Sequence, residues 1–306
     1  MANDYLSLAD LTTINDANLA DLEVSDLLQD APFLAVAAAV PASNGELHKY
    51  AKTTGGPVVG FRSVNDGREH DSSVRTTVTV TLKLLDCSLT IDKAMSAYRG
   101  GLDALVEMEL QEHLKAGYYK LEEQILNGTG ADSNGFAGIA DNGGLDGLSD
   151  DMVVGAGGST ACSSVYFVRM GPNDFSVVAG NDGNMDVGAP VEQRVAGATG
   201  FYTAITQSVQ GWFGVQIGSA QSVARIANID AGSNKVDDDL LFDGLELFPV
   251  SRPPTHVVMN KRSLHQLRDS RTATNPTGAP APVPTEWNGI PVITTEALGN
   301  AETALT

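Results

Sequence analysis

The alternating oxygen-bearing side chains of the segment NDGNMDVG come closest to a metal-binding pattern in this sequence. Asp182, Asn184 and Asp186 have the spacing of the first ligands in a calcium-binding loop. The glycine comes one position late, and Gln193 stands where a bidentate glutamate would complete such a loop. We therefore expect an ordinary turn here.

Acidic residues on a predicted helix form a second pattern, because paired carboxylates can act as general acid and base. They are Glu107, Glu109, Glu112, Glu122 and Glu123. Such a row is typical of the side of an amphipathic helix that faces solvent, and we predict that role here. An enzyme that uses this row or the Asp182 loop is the alternative; convergent carboxylates of shifted pKa in a defined pocket would identify it.

Other catalytic signatures are absent from the sequence, including GxxxxGK[ST], HExxH, CxxC and GxSxG. Cys87 and Cys162 are too few for a disulfide framework or a zinc site, and we predict buried thiols. Asn127-Gly128-Thr129 has the form of a glycosylation sequon, but we expect no glycosylation because no secretory signal accompanies it. The histidines are scattered and are predicted to be structural or solvated: His48, His70, His113, His256 and His265. We predict no catalytic, cofactor-binding or metal-binding residue, and no enzyme.

The charge balance narrows the possible partners. The 306 residues include 38 acidic and 19 basic residues, a formal charge of -19, which argues against a surface that grips nucleic acid. The first 30 residues carry acids where a signal peptide needs bases, and the apolar run from Phe33 to Val40 is too short to span a bilayer. We expect no membrane contact and a protein that stays in the cytoplasm where it is made.

One long amphipathic helix is predicted from Thr90 to Gly128, with Thr90 as its N-cap. Gly100-Gly101 marks a kink or the actual start, and from Leu102 to Asn127 the helix would be about 39 Å long. Its predicted apolar stripe contains Ile91, Met95, Tyr98, Leu102, Leu105, Leu110, Leu114, Tyr118, Leu121 and Ile125.

A long β-hairpin is predicted ahead of this helix. The strict alternation in VRTTVTVTLKLL predicts a strand over residues 74–84, with residues 47–62 as its partner and a polar tip around Asp66-Gly67. Because a two-stranded ribbon is marginal alone, we expect this one to lie against a neighbouring subunit or another part of the fold.

The rest of the chain is predicted to be rich in β-structure. Short runs spaced for an antiparallel sheet occur at residues 164–170, 174–179, 201–206, 212–217, 223–229 and 245–250. A strand at 255–259, a helix in KRSLHQLRDS capped by Asn260, and a final strand in GIPVITT follow.

Several segments together resemble the major capsid proteins of tailed bacteriophages. They are LLDCSLTIDKAMSAYRGGLDALVEMELQEHL, LNGTGADSNGFAGIAD, SVYFVRMGPNDFSVVAG and VVMNKRSLHQLRDSRT followed by WNGIPVITTEAL. The resemblance covers nearly the whole chain. It implies an α+β Hong Kong 97 type capsid fold with an N-arm, an extended β-hairpin called the E-loop, a long spine helix, a peripheral β-sheet and an axial domain.

The resemblance also implies a domain organisation. The ranges are an N-terminal arm at 1–44, the E-loop at 45–89, the spine helix of the peripheral domain at 90–128, a β-rich peripheral and axial region at 129–250, and the axial strand-helix-strand unit with the C-terminus at 251–306. Some relatives are covalently cross-linked through a lysine and an asparagine. Lys49 and Lys52 lie in the E-loop without a matching motif, so we expect non-covalent contacts.

The implied function is a structural subunit that forms pentamers and hexamers of an icosahedral head around double-stranded DNA. The implied partners are other copies of the chain, a separate scaffolding protein, a portal protein and a decoration protein, with DNA enclosed but not bound by sequence. The implied location is the virion capsid, assembled in the host bacterial cytoplasm. The alternative within the same fold is an encapsulin-like nanocompartment shell; a tail or decoration protein is expected to lack the spine helix.

Overall fold

The computed structural model describes residues 31–68, 71–97, 101–181, 185–275 and 279–306. Within these residues the fold is α+β, with strands in four sheets. The α-helices are α1 (Leu102–Asn127), α2 (Asp238–Glu246) and α3 (Lys261–Thr274). The strands are β1 (Ala39–Pro41), β2 (Leu47–Gly55), β3 (Val74–Thr81), β4 (Lys83–Asp86), β5 (Leu89–Asp92), β6 (Val153–Gly155), β7 (Ser163–Val168), β8 (Phe175–Ala179), β9 (Asp186–Val187), β10 (Val191–Gly197), β11 (Gly200–Gln207), β12 (Val209–Ile217), β13 (Val223–Ile229), β14 (His256–Met259), β15 (Glu286–Trp287) and β16 (Ile290–Thr294).

The largest sheet has the order β15-β16-β14-β7-β13-β6 and contains parallel and antiparallel pairs. Its strands β7 and β13 are buried along their whole length. Their mainly apolar runs, SSVYFV and VARIANI, are typical of strands that are covered on both faces. Helix α2 packs on β13, and α3 packs beside α2. The main hydrophobic core of the chain includes this sheet.

A second sheet has the order β1-β8-β12-β4, and β9 also pairs with β12. Strand β8 is buried throughout, and β12 is buried from Phe213 to Ile217. Phe33, which precedes β1, is fully buried and lies against Phe175 of β8 with ring centroids 5.7 Å apart. The segment ahead of β1 is therefore part of the main core.

A third sheet, β10-β11-β5, packs through β5 against the first half of α1. Leu89 and Ile91 of β5 point to the same side and are buried with Met95, Leu105 and Val106 in a separate small core. The predicted helix start at Thr90 is therefore wrong, because Leu89–Asp92 forms strand β5, paired with β11. Helix α1 begins after Gly101, whose φ of 85° few other residues adopt, so the predicted alternative start at Gly100-Gly101 is confirmed.

Three further sequence-based predictions differ from the structure. The predicted single strand at 74–84 is divided at Leu82, whose side chain turns into the core between β3 and β4. The predicted strand at 245–250 is wrong, since α2 reaches Glu246; its N-cap Asp237 accepts a hydrogen bond from the Leu240 N–H at 2.8 Å. The prediction that these strands form one antiparallel sheet is also wrong, because they belong to three different sheets.

Candidate assembly surfaces

The β2–β3 hairpin is fixed to the body of the protein at its base. His48 is buried, and its Nε2 lies 2.7 Å from Gln216 Oε1. The Ser43 N–H donates to His48 Nδ1, so Nε2 carries the proton in the neutral ring and donates to Gln216. The Tyr50 hydroxyl donates to the Ile217 carbonyl at 2.9 Å. These bonds join the hairpin to the end of β12.

Packing at the base is close where Leu82 meets β12. Leu82 is only 1% exposed and lies against Gly214 of β12. A Cβ atom at Gly214 would be 2.7 Å from Leu82 Cδ2, closer than carbon atoms approach without displacement. The orientation of the hairpin is therefore set by close packing as well as by hydrogen bonds.

Beyond its base, the hairpin exposes an unusual set of apolar side chains. We call them the hairpin tip: Val58 (68% exposed), Val59 (82%), Phe61 (109%) and Val64 (90%). The loop that carries them is held by Arg62, which donates to the Asp66 carbonyl at 3.0 Å, and by Arg68, which donates to the Val58 carbonyl. A contiguous exposed apolar group of this kind usually marks an interaction surface.

The middle of α1 presents a second exposed surface with acidic and apolar side chains. Leu110 and Leu114 of the predicted stripe are only half-buried, and Tyr118 is 46% exposed. Glu107 is exposed on the same side of the helix, whereas Glu112 lies on another side and forms an ion pair with Lys115 at 2.9 Å. This surface therefore has apolar side chains next to acidic ones, whereas the hairpin tip has apolar side chains next to two arginines.

Glu122 of the predicted solvated row is fully buried, so that prediction is wrong for this residue. Its Oε2 accepts the N–H groups of Phe33 at 2.9 Å and Leu34 at 3.1 Å, and its Oε1 accepts the Thr295 hydroxyl. Burial raises the pKa of this carboxyl, although these hydrogen bonds oppose the effect. One side chain thus joins α1 to the turn ahead of β1 and to the segment after β16.

A buried arginine holds the C-terminal segment in a similar way. The Arg225 guanidinium is 6% exposed and donates to Ser164 Oγ at 3.0 Å, to the Leu145 carbonyl at 3.1 Å and to Glu302 Oε2 at 3.1 Å. Asn228 exchanges two hydrogen bonds with the backbone of Leu305. Residues near the C-terminus are therefore fixed on the main sheet.

The other residues considered for chemistry do not form a site. Asp182, Asn184 and His70 lie outside the described residues, and Asp186 is in β9. Among the described residues, no group of three or more His, Cys, Asp or Glu side chains is arranged to hold a metal ion. The free thiols of Cys87 and Cys162 are buried, as predicted. No helix of the described part of the chain is long and apolar enough to cross a bilayer.

A groove next to the hairpin does not bring carboxylates together. It has a volume of about 430 Å³ between β2, β3 and residues 135–143, and its lining includes Tyr50, Lys52, Lys83 and Asp141. Asp141 is the one carboxylate of that lining in the described residues. It accepts the Thr129 N–H and hydroxyl at 2.6 and 2.9 Å, so it serves the turn after α1.

Sequence reasoning missed Glu122 and Arg225 as anchors. Glu122 stands next to Glu123 in a charged stretch, and only the fold brings the Phe33 and Leu34 amides onto it. Arg225 had a usable signal, because a charge within the apolar strand VARIANI requires a buried partner.

The exposed apolar side chains of the hairpin tip and of α1 favour contacts with other protein chains. The family model described as "Major capsid protein GP7" matches residues 16–306. The chain therefore belongs to this family of major capsid proteins, and its role is structural.

Solved structures show the same fold. The bacteriophage Epsilon15 structure is 20% identical in sequence to this chain, with a TM-score of 0.71, and the match covers 100% of this chain and 99% of that one. The bacteriophage JBD30 capsid is 11% identical, with a TM-score of 0.55 over 95% of this chain and 99% of that one. A comparison with curated protein sequences finds no match. The predicted Hong Kong 97 type capsid fold is confirmed.

Proposed function

We propose that this chain assembles into pentamers and hexamers that close into an icosahedral bacteriophage head around double-stranded DNA. The observation that carries the proposal is the hairpin tip, which is exposed on a ribbon whose base is fixed to β12 by the His48 and Tyr50 side chains. Burying an exposed Val or Phe side chain stabilises a contact by about 1.5–3 kcal/mol. Four such side chains favour a subunit interface.

The acidic and apolar surface of α1 on a neighbouring copy is the partner we propose for the tip. The tip carries Arg62 and Arg68, and the α1 surface carries Glu107 beside Leu110 and Leu114. Opposite charges around an apolar centre provide both orientation and affinity. Repetition of this contact around a symmetric shell multiplies a modest affinity through multivalency.

The proposal assigns the parts of the chain as follows. Residues 1–44 are the N-terminal arm, 45–89 the E-loop, 90–128 the spine region of the peripheral domain, 129–250 the peripheral and axial region, and 251–306 the axial unit and C-terminus. Within the spine region, the helix itself is Leu102–Asn127. Contacts between subunits are non-covalent and involve no cross-link from Lys49 or Lys52.

The proposed partners are a scaffolding protein during assembly, a portal protein at one vertex and a decoration protein on the outside. Assembly takes place in the host bacterial cytoplasm. The formal charge of -19 supports an inner wall that encloses DNA without gripping it, because phosphates are repelled by carboxylates. A basic patch on the inner face of the assembled shell would contradict this part of the proposal.

Substitution of the tip tests the proposal. We expect Phe61→Ser with Val59→Ser to leave folding unchanged, since both side chains are exposed, and to abolish shells seen by negative-stain electron microscopy. Thr77→Ser on β3, also exposed, is the matched control and should assemble normally. Wild-type-like shells from the double variant would contradict the role of the tip.

A further inference from the structure

The outer edge of the third sheet, formed by β10, plays no part in the proposed contact between the hairpin tip and α1. Strand β10 is the end strand in the order β10-β11-β5. It pairs with β11 from Val191 to Gly197. Among the described residues, all its ladder partners lie on β11. Residues 191–194 are exposed. Such an edge presents backbone donors and acceptors that another strand can pair with.

The turn that follows β10 determines which backbone groups face outward. Gly197 pairs with Gly200 across a two-residue loop, and such a loop is closed by a hydrogen-bonded pair. Hydrogen-bonded and non-hydrogen-bonded pairs alternate along an antiparallel ladder. Counting back from Gly197, the N–H and C=O groups of Glu192 and Arg194 point to the open edge, and those of Gln193 point to β11.

The sequence of this edge is complementary to itself. When two copies of VEQRV run antiparallel with Gln193 at the centre, Glu192 lies opposite the partner's Arg194, and Val191 lies opposite the partner's Val195. Each of these pairs occurs twice because the arrangement has a two-fold axis. In this register Glu192 and Arg194 of each strand form the hydrogen-bonded pairs, which agrees with the direction of their backbone groups.

We propose that two copies of this chain pair through their β10 edges, antiparallel and centred on Gln193, across a two-fold axis of the shell. The inference rests on the proposed shell function. The occupant is a second copy because the charges and the valines match only in that self-complementary register, and opposite charges across neighbouring strands are stabilising.

Existing contacts are compatible with this pairing. Glu192 forms an ion pair with Lys93 at 2.8 Å, but both side chains are about half exposed, so Glu192 has a free side for the partner's Arg194. The Arg194 guanidinium lies 5.5 Å from the centre of the Phe201 ring, which holds it on the same side of the sheet as Glu192. A single pair of short strands is a small contact, so we expect it in assembled particles rather than in isolated dimers.

Disulfide trapping tests the register directly. Gln193→Cys places two cysteines opposite each other at the axis, where Cα atoms in a non-hydrogen-bonded pair are about 4.5 Å apart, within the range of a disulfide. We expect mild oxidation of assembled particles of this variant to give covalent dimers on a non-reducing gel. Ala196→Cys is the control, since its two copies would be about 20 Å apart at 3.4 Å per residue.

Charge exchange supplies a second readout in the Gln193→Cys background. Glu192→Arg alone, or Arg194→Glu alone, places like charges opposite each other, and we expect at least about a threefold loss of covalent dimer. The double exchange Glu192→Arg with Arg194→Glu restores complementarity and should restore the dimer yield. A structural role of either residue within one subunit would not be rescued in this way.

The outcomes separate this inference from the proposed function. Particles that assemble but give only monomers on the gel, or equal dimer yields from the Gln193 and Ala196 variants, would overturn β10 pairing and leave the shell function intact. A wild-type chain that forms no shells with its scaffold would contradict the proposed function itself.

Discussion

Glu122 offers the sharpest test of how the chain is held together. The change Glu122→Ala removes the acceptor for the Phe33 and Leu34 amides and for the Thr295 hydroxyl. Phe33 is fully buried, so its N–H has no access to water in the truncated variant. A buried donor left without a partner costs about 1–3 kcal/mol, and a hydrogen bond to a charged acceptor contributes about 1.5–3 kcal/mol. The alanine variant no longer buries a carboxylate, which offsets part of these losses. We therefore expect the free energy of unfolding to fall by about 3 kcal/mol in total.

Hydrogen exchange locates the effect. A loss of this size corresponds to exchange more than about 100-fold faster, since about 1.4 kcal/mol is tenfold. We expect the acceleration in the peptide that spans residues 31–37, and amides of β7 and β13 that exchange only on global unfolding should show the same loss of stability. Unchanged protection at residues 31–37 would refute the argument that Glu122 fixes this turn.

Glu122→Gln is the matched variant, and it separates hydrogen bonding from charge. The glutamine oxygen still accepts one of the amides, so the loss should be about 1 kcal/mol. Burial raises the pKa of Glu122 above its ordinary value of 4.5, so the folded protein binds this proton more tightly than the unfolded chain does. Wild-type stability therefore gains from this group as the pH falls through the raised pKa, and the full gain is present below 4.5.

The pH dependence has a simple readout. Glutamine does not titrate, so the urea midpoint of the wild type should rise relative to that of Glu122→Gln as the pH falls from neutral towards the ordinary value of 4.5. If the difference in urea midpoint between the two proteins stays constant with pH, or if it changes in favour of the glutamine variant as the pH falls, the assigned direction of the pKa shift is refuted.

Two other perturbations follow from the packing. Gly117→Ala should lower the free energy of unfolding, measured in urea, by about 1–3 kcal/mol, because the added Cβ would overlap Cys87 Sγ even though alanine favours helices. The added change Cys87→Ala removes that sulfur, and failure of the double variant to recover stability relative to Gly117→Ala would contradict the explanation. Glu302→Ala leaves the buried Arg225 guanidinium without its carboxylate and should cost about 3 kcal/mol in urea unfolding. Glu296→Ala, which removes an exposed pair with Lys261, is the control for it, and equal effects of the two changes would argue against the burial argument.

Elements with a strong local pattern could be predicted from the sequence. The alternation of valines and threonines gave the β3 strand, the Asn260 cap gave the start of α3, and the glycines gave an alternative start for α1. Strand β5 could not be found this way, because Leu89 and Ile91 also fit the helical stripe, and only pairing with β11 decides between them. Division of the strands among three sheets depends on long-range pairing that no local pattern specifies.

The candidate surfaces were predicted to different degrees. The long hairpin and its need for a partner follow from the marginal stability of a two-stranded ribbon. The apolar character of its tip was not predicted, since the sequence around Asp66-Gly67 was interpreted as polar, whereas Val59 and Phe61 just before it are exposed. The anchoring role of Glu122 depends on a contact 88 to 89 residues distant in sequence.

Electron microscopy of the purified chain, expressed with and without a candidate scaffold, tests the central claim most directly, with light scattering as a measure of particle mass. We predict closed shells, or rings of five and six subunits, with scaffold improving closure. A compact monomer under all conditions would contradict the assignment of this chain as a self-assembling capsid subunit.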